Sequence, residues 1–330
     1  DDVVIINRQP SLHPYNLVAL RARLTEGTAI HLHPLCLGGL AGDFDGDTVA
    51  VHRPFTHAAR REAWEVLSPA ERVRSSASGT VLAKLDLDIA LGLYRASTGQ
   101  CGTVPPVLDS AGTVLDTGQL SVAVEKMVSA MPDGEAAVRA LDEVERAGFE
   151  AAVGWSIGAL DLWEDGEGGH RAEAIAAGVA GGEKAVNQLL HARGKPNDHS
   201  GHPNSVVPNV AGCYLTGLSV DDYFDTSPVA LAELAHKKLT TPRAGQLTKT
   251  LVAIADPVTI SKARCDTDEQ PRSPLTCSAD EGVCQACYGA DPGTGSPPRI
   301  GSRVGVLAAT VIGERSTQEA MKAFQAGGGR

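Results

Sequence analysis

Three aspartates alternate along a short segment of the sequence, Asp43-Phe44-Asp45-Gly46-Asp47. Gly46 permits a positive φ, so the backbone here can wrap around a small ion. Carboxylate oxygens are hard ligands that suit Mg²⁺ better than Zn²⁺, and carboxylates this close repel one another unless a cation compensates them. The segment therefore predicts a magnesium site formed by Asp43, Asp45 and Asp47.

Two other interpretations compete for the same segment. A calcium-binding EF-hand loop needs Gly at its sixth position and Glu at its twelfth. Counted from Asp43, those positions hold Thr48 and Pro54, so the EF-hand pattern fails. A solvated acidic turn without an ion remains open on the segment alone, because short motifs have a high false-positive rate.

A second group of metal-ligating residues lies near the C-terminus. Cys284 and Cys287 form a C-x2-C pair, with Cys277 and Cys265 upstream. Four thiolates complete a tetrahedral zinc site and leave no open position for a substrate, which predicts a structural role. The alternative is a set of free buried thiols.

Bulk properties restrict the class of protein. The chain has 330 residues, enough for one large domain or two to three smaller ones, and a net charge of −11. That charge argues against independent nucleic-acid binding, although partner chains can supply a positive channel. No apolar run is long enough to span a membrane, and neither a signal peptide nor an even cysteine count is present, so we expect a cytoplasmic protein.

Hydrophobic patterns predict the elements that position these groups. Short β-branched runs predict strands at 3–6 and 48–51. Apolar periodicity predicts a helix over 57–67 that stops at Ser68-Pro69, and helices over 119–149 with a break at 131–134. It also predicts helix over 170–193 and over 228–256, where Pro242 should introduce a kink.

Other short motifs surround the aspartates and cysteines in a fixed order. They are NRQPSLH at 7–13, EGTAIHLHPL at 26–35, VAVH at 49–52, LGLY at 91–94, QLLHARG at 188–194, LTC at 275–277, GVCQACYG at 282–289 and GVLAA at 305–309. Together they resemble the β′ subunit of bacterial multisubunit DNA-directed RNA polymerase, in a divergent or split form of its catalytic core.

The resemblance implies an α+β fold, in which part of a double-psi β-barrel precedes mainly helical segments and a small zinc-binding module. The implied domains are a barrel portion with the catalytic loop at 1–56, a mixed helical region at 57–215, a bridge-helix-like segment at 216–262, the zinc-binding module at 263–290, and the start of the trigger-loop region at 291–330.

The resemblance also implies an activity, namely Mg²⁺-dependent, templated nucleotidyl transfer that forms RNA and releases pyrophosphate. The three aspartates would hold the catalytic Mg²⁺, the four cysteines would hold Zn²⁺, and Arg8, Lys322 and Gln325 would contact the incoming nucleotide. The implied partners are a β-like subunit, other polymerase subunits or the rest of β′, the DNA template, the RNA product and nucleoside triphosphates.

Several positions depart from the family pattern. Ala41 replaces an asparagine, Leu87 a glutamine, Lys322 an arginine and Gln325 a histidine. These changes concern sugar selection and trigger-loop assistance rather than metal binding. They keep open an alternative function, a catalytically impaired β′-like homologue or fragment that serves as a structural or nucleic-acid-binding subunit.

Overall fold

The computed structural model describes residues 2–108, 112–155, 170–179, 182–195 and 209–322. Within them the strands are β1 (Val3–Asn7), β2 (Leu17–Arg21) and β3 (Ala50–His52). The α-helices are α1 (Leu37–Leu40), α2 (His57–Leu67), α3 (Asp88–Ser97), α4 (Thr117–Ala130), α5 (Gly134–Ala152), α6 (His170–Ala176), α7 (Glu183–Leu190), α8 (Val220–Ala255), α9 (Gln285–Tyr288) and α10 (Val304–Lys322). Short 3₁₀ helices cover Pro14–Asn16, Pro34–Cys36, Ala70–Arg72, Pro106–Leu108 and Pro274–Thr276.

This mixture of helices with a small sheet is compatible with the predicted α+β class, while the double-psi barrel, the zinc-binding module and the domain boundaries stay predictions. No helix in the described part of the chain is both long enough and apolar enough to cross a membrane.

The strands form an antiparallel sheet in the order β2-β1-β3. Asn7, at the end of β1, lies opposite Leu17 on one side and Ala50 on the other. Ile6 and Val18 are directly paired across β1 and β2, so their side chains share one face of the sheet, where both are buried against Leu40 of α1. The sheet therefore fixes the end of β1 beside the helix that precedes the aspartate segment.

The chain consists of two compact units. The first comprises Asp1–Lys84, Met131–Val138 and Arg243–Gln318, and it contains both predicted metal sites. Within it α2 packs on β1 and β2. Thr56 caps α2 by accepting the N–H of Ala59 at 3.1 Å, as expected for a threonine directly before a helix.

The second unit comprises Leu85–Ala130, Arg139–Pro242 and Glu319–Arg330. Helix α3 is buried along most of its length and crosses α5 at two glycines. A Cβ built on Gly92 would lie 1.8 Å from the carbonyl oxygen of Gly148, so the two backbones touch where no side chain fits.

Two predicted helices differ from the observed ones. The prediction of one continuous helix over 170–193 is wrong, because the chain forms two helices, α6 and α7, and Gly178 between them adopts a φ of +78°. Helix α8 begins eight residues before the predicted start and contains Pro228 as well as Pro242. It continues on both sides of each proline, and the kink at Pro242 stays a prediction.

Candidate metal centres

The aspartate segment lies in an exposed loop between α1 and β3. Ala41 ends α1 with φ +50° and ψ +39°, a left-handed conformation that turns the chain out of the helix. Gly46 adopts a φ of +119°, as the sequence predicted for a backbone that wraps around an ion. One oxygen from each of Asp43, Asp45 and Asp47 lies within 4.8 Å of the others, so the loop brings the three predicted ligands together.

Hydrogen bonds within the loop hold the carboxylates in this arrangement. The backbone N–H of Asp43 donates to Asp47 Oδ2 at 3.0 Å, and the N–H of Asp45 donates to Asp43 Oδ1 at 3.3 Å. A shared hydrogen bond with the Asp43 carboxyl and repulsion from its charge raise the pKa of Asp45 above its ordinary value. The loop therefore concentrates negative charge of the kind that a divalent cation relieves.

Arg8 contacts the third aspartate of the loop. Its Nε lies 2.7 Å from Asp47 Oδ2 and its Nη2 lies 3.1 Å from Asp47 Oδ1. These bonds, together with the Asp43 N–H, lower the pKa of the Asp47 carboxyl. The structure thus places the predicted nucleotide-contacting arginine directly beside the predicted metal ligands.

Asn16 is a buried residue that the sequence did not single out. Its Oδ1 accepts the N–H groups of Leu12 and His13 at 3.0 and 3.1 Å, and its Nδ2 donates to the Leu40 carbonyl at 3.0 Å. Its own carbonyl accepts the N–H of Arg8 at 3.3 Å. Asn16 therefore connects the segment that carries Arg8 to the end of α1, from which the aspartate loop departs.

The four predicted zinc ligands also converge. Cys265 and Cys287 have their sulfurs 3.5 Å apart, Cys277 and Cys265 have theirs 3.8 Å apart, and all four sulfurs lie within 4.8 Å of one another. All four are free cysteines, and Cys265, Cys284 and Cys287 are buried. A tetrahedron of sulfurs at about 2.3 Å from zinc has edges of about 3.8 Å, so these separations fit that ion.

The backbone around the cysteines gives their thiols different acidities. Hydrogen bonding from the backbone, first of all from Thr267, lowers the pKa of Cys265 to about 5. Burial raises the pKa of Cys287 to about 12. A bound cation favours the thiolate form of every ligand, whatever the acidity of the free thiol.

The segments that carry the cysteines are joined by main-chain hydrogen bonds. Ile260 and Val283 form a parallel bridge, in which the N–H of Val283 donates to the Thr259 carbonyl at 2.9 Å. Gly282 is needed for this approach, since a Cβ on it would lie 2.0 Å from the Thr259 oxygen. Cys284 then lies directly before α9, the short helix that contains Cys287.

The remaining predicted site residues lie near the C-terminus. Lys322 is the last residue of α10, and Gln325 lies outside the described residues. Ala41 and Leu87, which replace polar residues of the family pattern, have φ angles of +50° and +52°. In the described part of the chain they are the two non-glycine residues with positive φ.

Comparison with known proteins adds independent evidence. The sequence-family model for RNA polymerase Rpb1, domain 2, matches residues 1–68, and the family model for RNA polymerase Rpb1, domain 5, matches residues 217–330. The first match contains the aspartate loop and the second contains the four cysteines. Together the two matches cover more than half of the chain.

Curated relatives give the same family. The chain is 24% identical over 506 residues to the DNA-directed RNA polymerase subunit beta′ of Salinibacter ruber, covering 98% of this chain and 35% of that protein. It is 25% identical over 509 residues to the subunit beta′ of Aquifex aeolicus, covering 98% of this chain and 32% of that protein. The chain thus spans about a third of the length of the relatives it matches. Two Rpb1 family models and relatives that match 98% of this chain agree, so the chain belongs to the family of RNA polymerase β′ subunits.

Proposed function

We propose that this chain is part of the catalytic core of a DNA-directed RNA polymerase and performs Mg²⁺-dependent nucleotidyl transfer together with a β-like partner. The observation that carries the proposal is the convergence of three carboxylates within 4.8 Å in an exposed loop, beside an arginine, in a chain of this family.

In this proposal Asp43, Asp45 and Asp47 bind Mg²⁺ through their carboxylate oxygens. Bound magnesium would make the RNA 3′ hydroxyl a better nucleophile, and a second ion arriving with the nucleoside triphosphate would stabilise the departing pyrophosphate. Asn16 and the Asp43 N–H hold the loop and Asp47 in place, so that the carboxylates need little rearrangement.

Arg8, Lys322 and Gln325 complete the proposed substrate contacts. Arg8 is already within reach of the metal site, where a guanidinium suits the sugar and phosphates of a nucleotide. The DNA template and RNA product require positive surfaces, which a chain with a net charge of −11 takes from its partner subunits. The complex would act in the cytoplasm.

The four cysteines have a separate, structural role in the proposal. Cys265, Cys277, Cys284 and Cys287 hold Zn²⁺ with no position left for a substrate. Their three buried members form a small core with Val283, so bound zinc would fix this module in place of a larger apolar interior.

The test compares Asp45→Ala with Glu62→Gln, which removes an exposed carboxylate on α2. Each variant is purified with its partner subunits and assayed for RNA extension on a DNA template, and Mn²⁺ binding is measured as a stand-in for Mg²⁺. We expect Asp45→Ala to abolish extension and Mn²⁺ binding, while Glu62→Gln retains both. Undiminished extension by Asp45→Ala would disprove the catalytic role.

A second candidate function, a β′-like subunit without efficient catalysis, is favoured by one observation. Ala41 and Leu87 both have positive φ angles, which are unusual outside glycine, but they lack the polar side chains that the family pattern has there. This candidate predicts Asp45-dependent Mn²⁺ binding without RNA extension by the intact complex, and extension that appears in Ala41→Asn.

A further inference from the structure

The side chain of Arg272 lies against the cysteine cluster. Its Nη2 donates to Cys265 Sγ at 3.2 Å and to the Cys265 carbonyl at 2.9 Å, and its Nη1 donates to the Thr267 carbonyl at 3.0 Å. Burial disfavours the charge on Arg272, but interactions with the thiols of Cys284, Cys287 and Cys265 outweigh it and raise the pKa of the guanidinium. Arg272 therefore contacts one cysteine of the cluster directly and interacts with the charges of two more.

The Nε atom of Arg272 is unusual. Among the described residues it is the buried side-chain nitrogen or oxygen that lacks a hydrogen-bond partner in the protein. Buried donors are rarely left unpaired, because they have lost their hydrogen bonds to water. The neighbouring Nη2 of the same guanidinium already donates to Cys265 Sγ, and sulfur becomes a much better acceptor when a thiol turns into a zinc-bound thiolate.

The net charge that the cysteine site would carry with zinc bound also points to a role for Arg272. Four thiolates and one Zn²⁺ carry a net charge of about −2, here on a cluster with three buried ligands. A buried net charge is unfavourable unless an opposite charge lies close to it. Arg272 supplies a permanent positive charge at hydrogen-bond distance from Cys265.

We infer that Arg272 is the outer-sphere positioning residue of the cysteine site, where its N–H groups bind the thiolates around Cys265 and stabilise their tetrahedral arrangement around zinc. The inference rests on the proposed zinc site and adds a residue outside its ligand set. Loss of an outer-sphere partner typically weakens metal affinity about 10- to 100-fold, and we expect Arg272 to fall in that range.

The affinity test uses the full 330-residue chain. Zinc transfer to a chromophoric chelator is measured for the wild type, Arg272→Gln, Arg272→Lys and the control Arg264→Gln. Arg264 is an exposed cation directly before Cys265, so its loss removes the same charge from the same segment without removing these contacts. We expect Arg272→Gln to weaken zinc binding by about 10- to 100-fold, Arg272→Lys to restore part of the loss, and Arg264→Gln to match the wild type.

A spectroscopic readout separates this role from loop folding, because Arg272 also binds two carbonyls. Co²⁺ replaces Zn²⁺, and the sulfur-to-cobalt charge-transfer band is recorded for each variant. Loss of N–H···S bonds raises the energy of the sulfur electrons, so the band should move to longer wavelength in Arg272→Gln and less in Arg272→Lys. If Arg272→Gln does not fold, the zinc affinity and the cobalt band of Arg272→Lys test the inference instead.

The outcomes are distinguishable. Wild-type chain that binds neither Zn²⁺ nor Co²⁺ would overturn the proposed zinc site itself. If the wild type binds zinc, and the Arg272 variants bind it with the same affinity and show an unshifted cobalt band, the zinc site stands and the inference about Arg272 is overturned. Equal weakening by Arg264→Gln would also overturn it, since bulk charge would then account for the effect.

Discussion

The guanidinium of Arg8 binds both carboxylate oxygens of Asp47, with Nε 2.7 Å from Oδ2 and Nη2 3.1 Å from Oδ1. Asp47 Oδ2 also accepts the N–H of Asp43. Both oxygens of this carboxylate thus accept hydrogen bonds from the protein. A metal ion at the loop has to share Asp47 with Arg8 or displace it.

This sharing gives a first prediction. In the free chain Arg8→Gln should tighten Mn²⁺ binding by about fivefold, because it removes a positive charge next to a surface cation site where such interactions are worth about 1 kcal/mol. Calorimetric titration with Mn²⁺ measures the change, and Arg23→Gln, an exposed arginine elsewhere in the first unit, is the control. Weaker binding by Arg8→Gln would instead mean that Arg8 holds Asp47 in the orientation that the ion requires.

A second prediction concerns Asn16. Asn16→Ala should lower the free energy of unfolding by about 2–4 kcal/mol, because it removes the side-chain partner of the buried Leu40 carbonyl and of the partly buried N–H groups of Leu12 and His13. Urea unfolding measures the loss, with the exposed Asn187→Ala as control. A loss below about 0.5 kcal/mol, the usual size of a surface substitution, would contradict the bridging role.

The left-handed backbone of Ala41 gives a third prediction. Ala41→Gly and Ala41→Asn should each raise the free energy of unfolding, by up to about 1 kcal/mol, since both residues tolerate positive φ better than alanine. Thermal unfolding measures the gain. Ala230→Gly, at an exposed position inside α8, should have the opposite effect, because glycine is a poor helix former. Destabilisation by both Ala41 variants would show that the left-handed turn is not strained.

The glycine contact between α3 and α5 gives a fourth prediction. Gly92→Ala should destabilise the chain by about 1–3 kcal/mol, because the new methyl group would collide with the Gly148 carbonyl. Gly245→Ala is the matched control inside α8, where nothing lies within 4 Å, and it should stabilise by about 1 kcal/mol. Urea midpoints that move in the same direction for both variants would contradict the close approach of the two backbones.

Local signals in the sequence predicted the helices well where caps and breakers were present. Helix α2 has the predicted bounds of 57–67, since Thr56 caps its start and Ser68-Pro69 follows its end. The break at 131–134 separates α4 from α5 as predicted. Strand β2, over 17–21, was not predicted, because its status depends on pairing with β1 rather than on its own short apolar run. Strand β3 begins two residues later than predicted, at Ala50.

The same distinction applies to the site. The aspartates and cysteines could be predicted because their spacing along the chain already limits how far apart they lie. Asn16 and Arg272 could not, because their importance arises from partners that only the folded chain brings near, such as the Leu40 carbonyl and the Cys265 thiol. A polar residue in a turn has the same local pattern whether it faces water or a buried acceptor.

The bridge between Ile260 and Val283 has a consequence for how the cysteines bind an ion. It closes the loop that carries Cys265 and Cys277 through main-chain hydrogen bonds, so the entropy of loop closure is lost when the chain folds. The thiols then meet an incoming cation at a high effective concentration, as tethered groups do. Metal exchange at this module should therefore be a local, reversible event that leaves the rest of the chain folded.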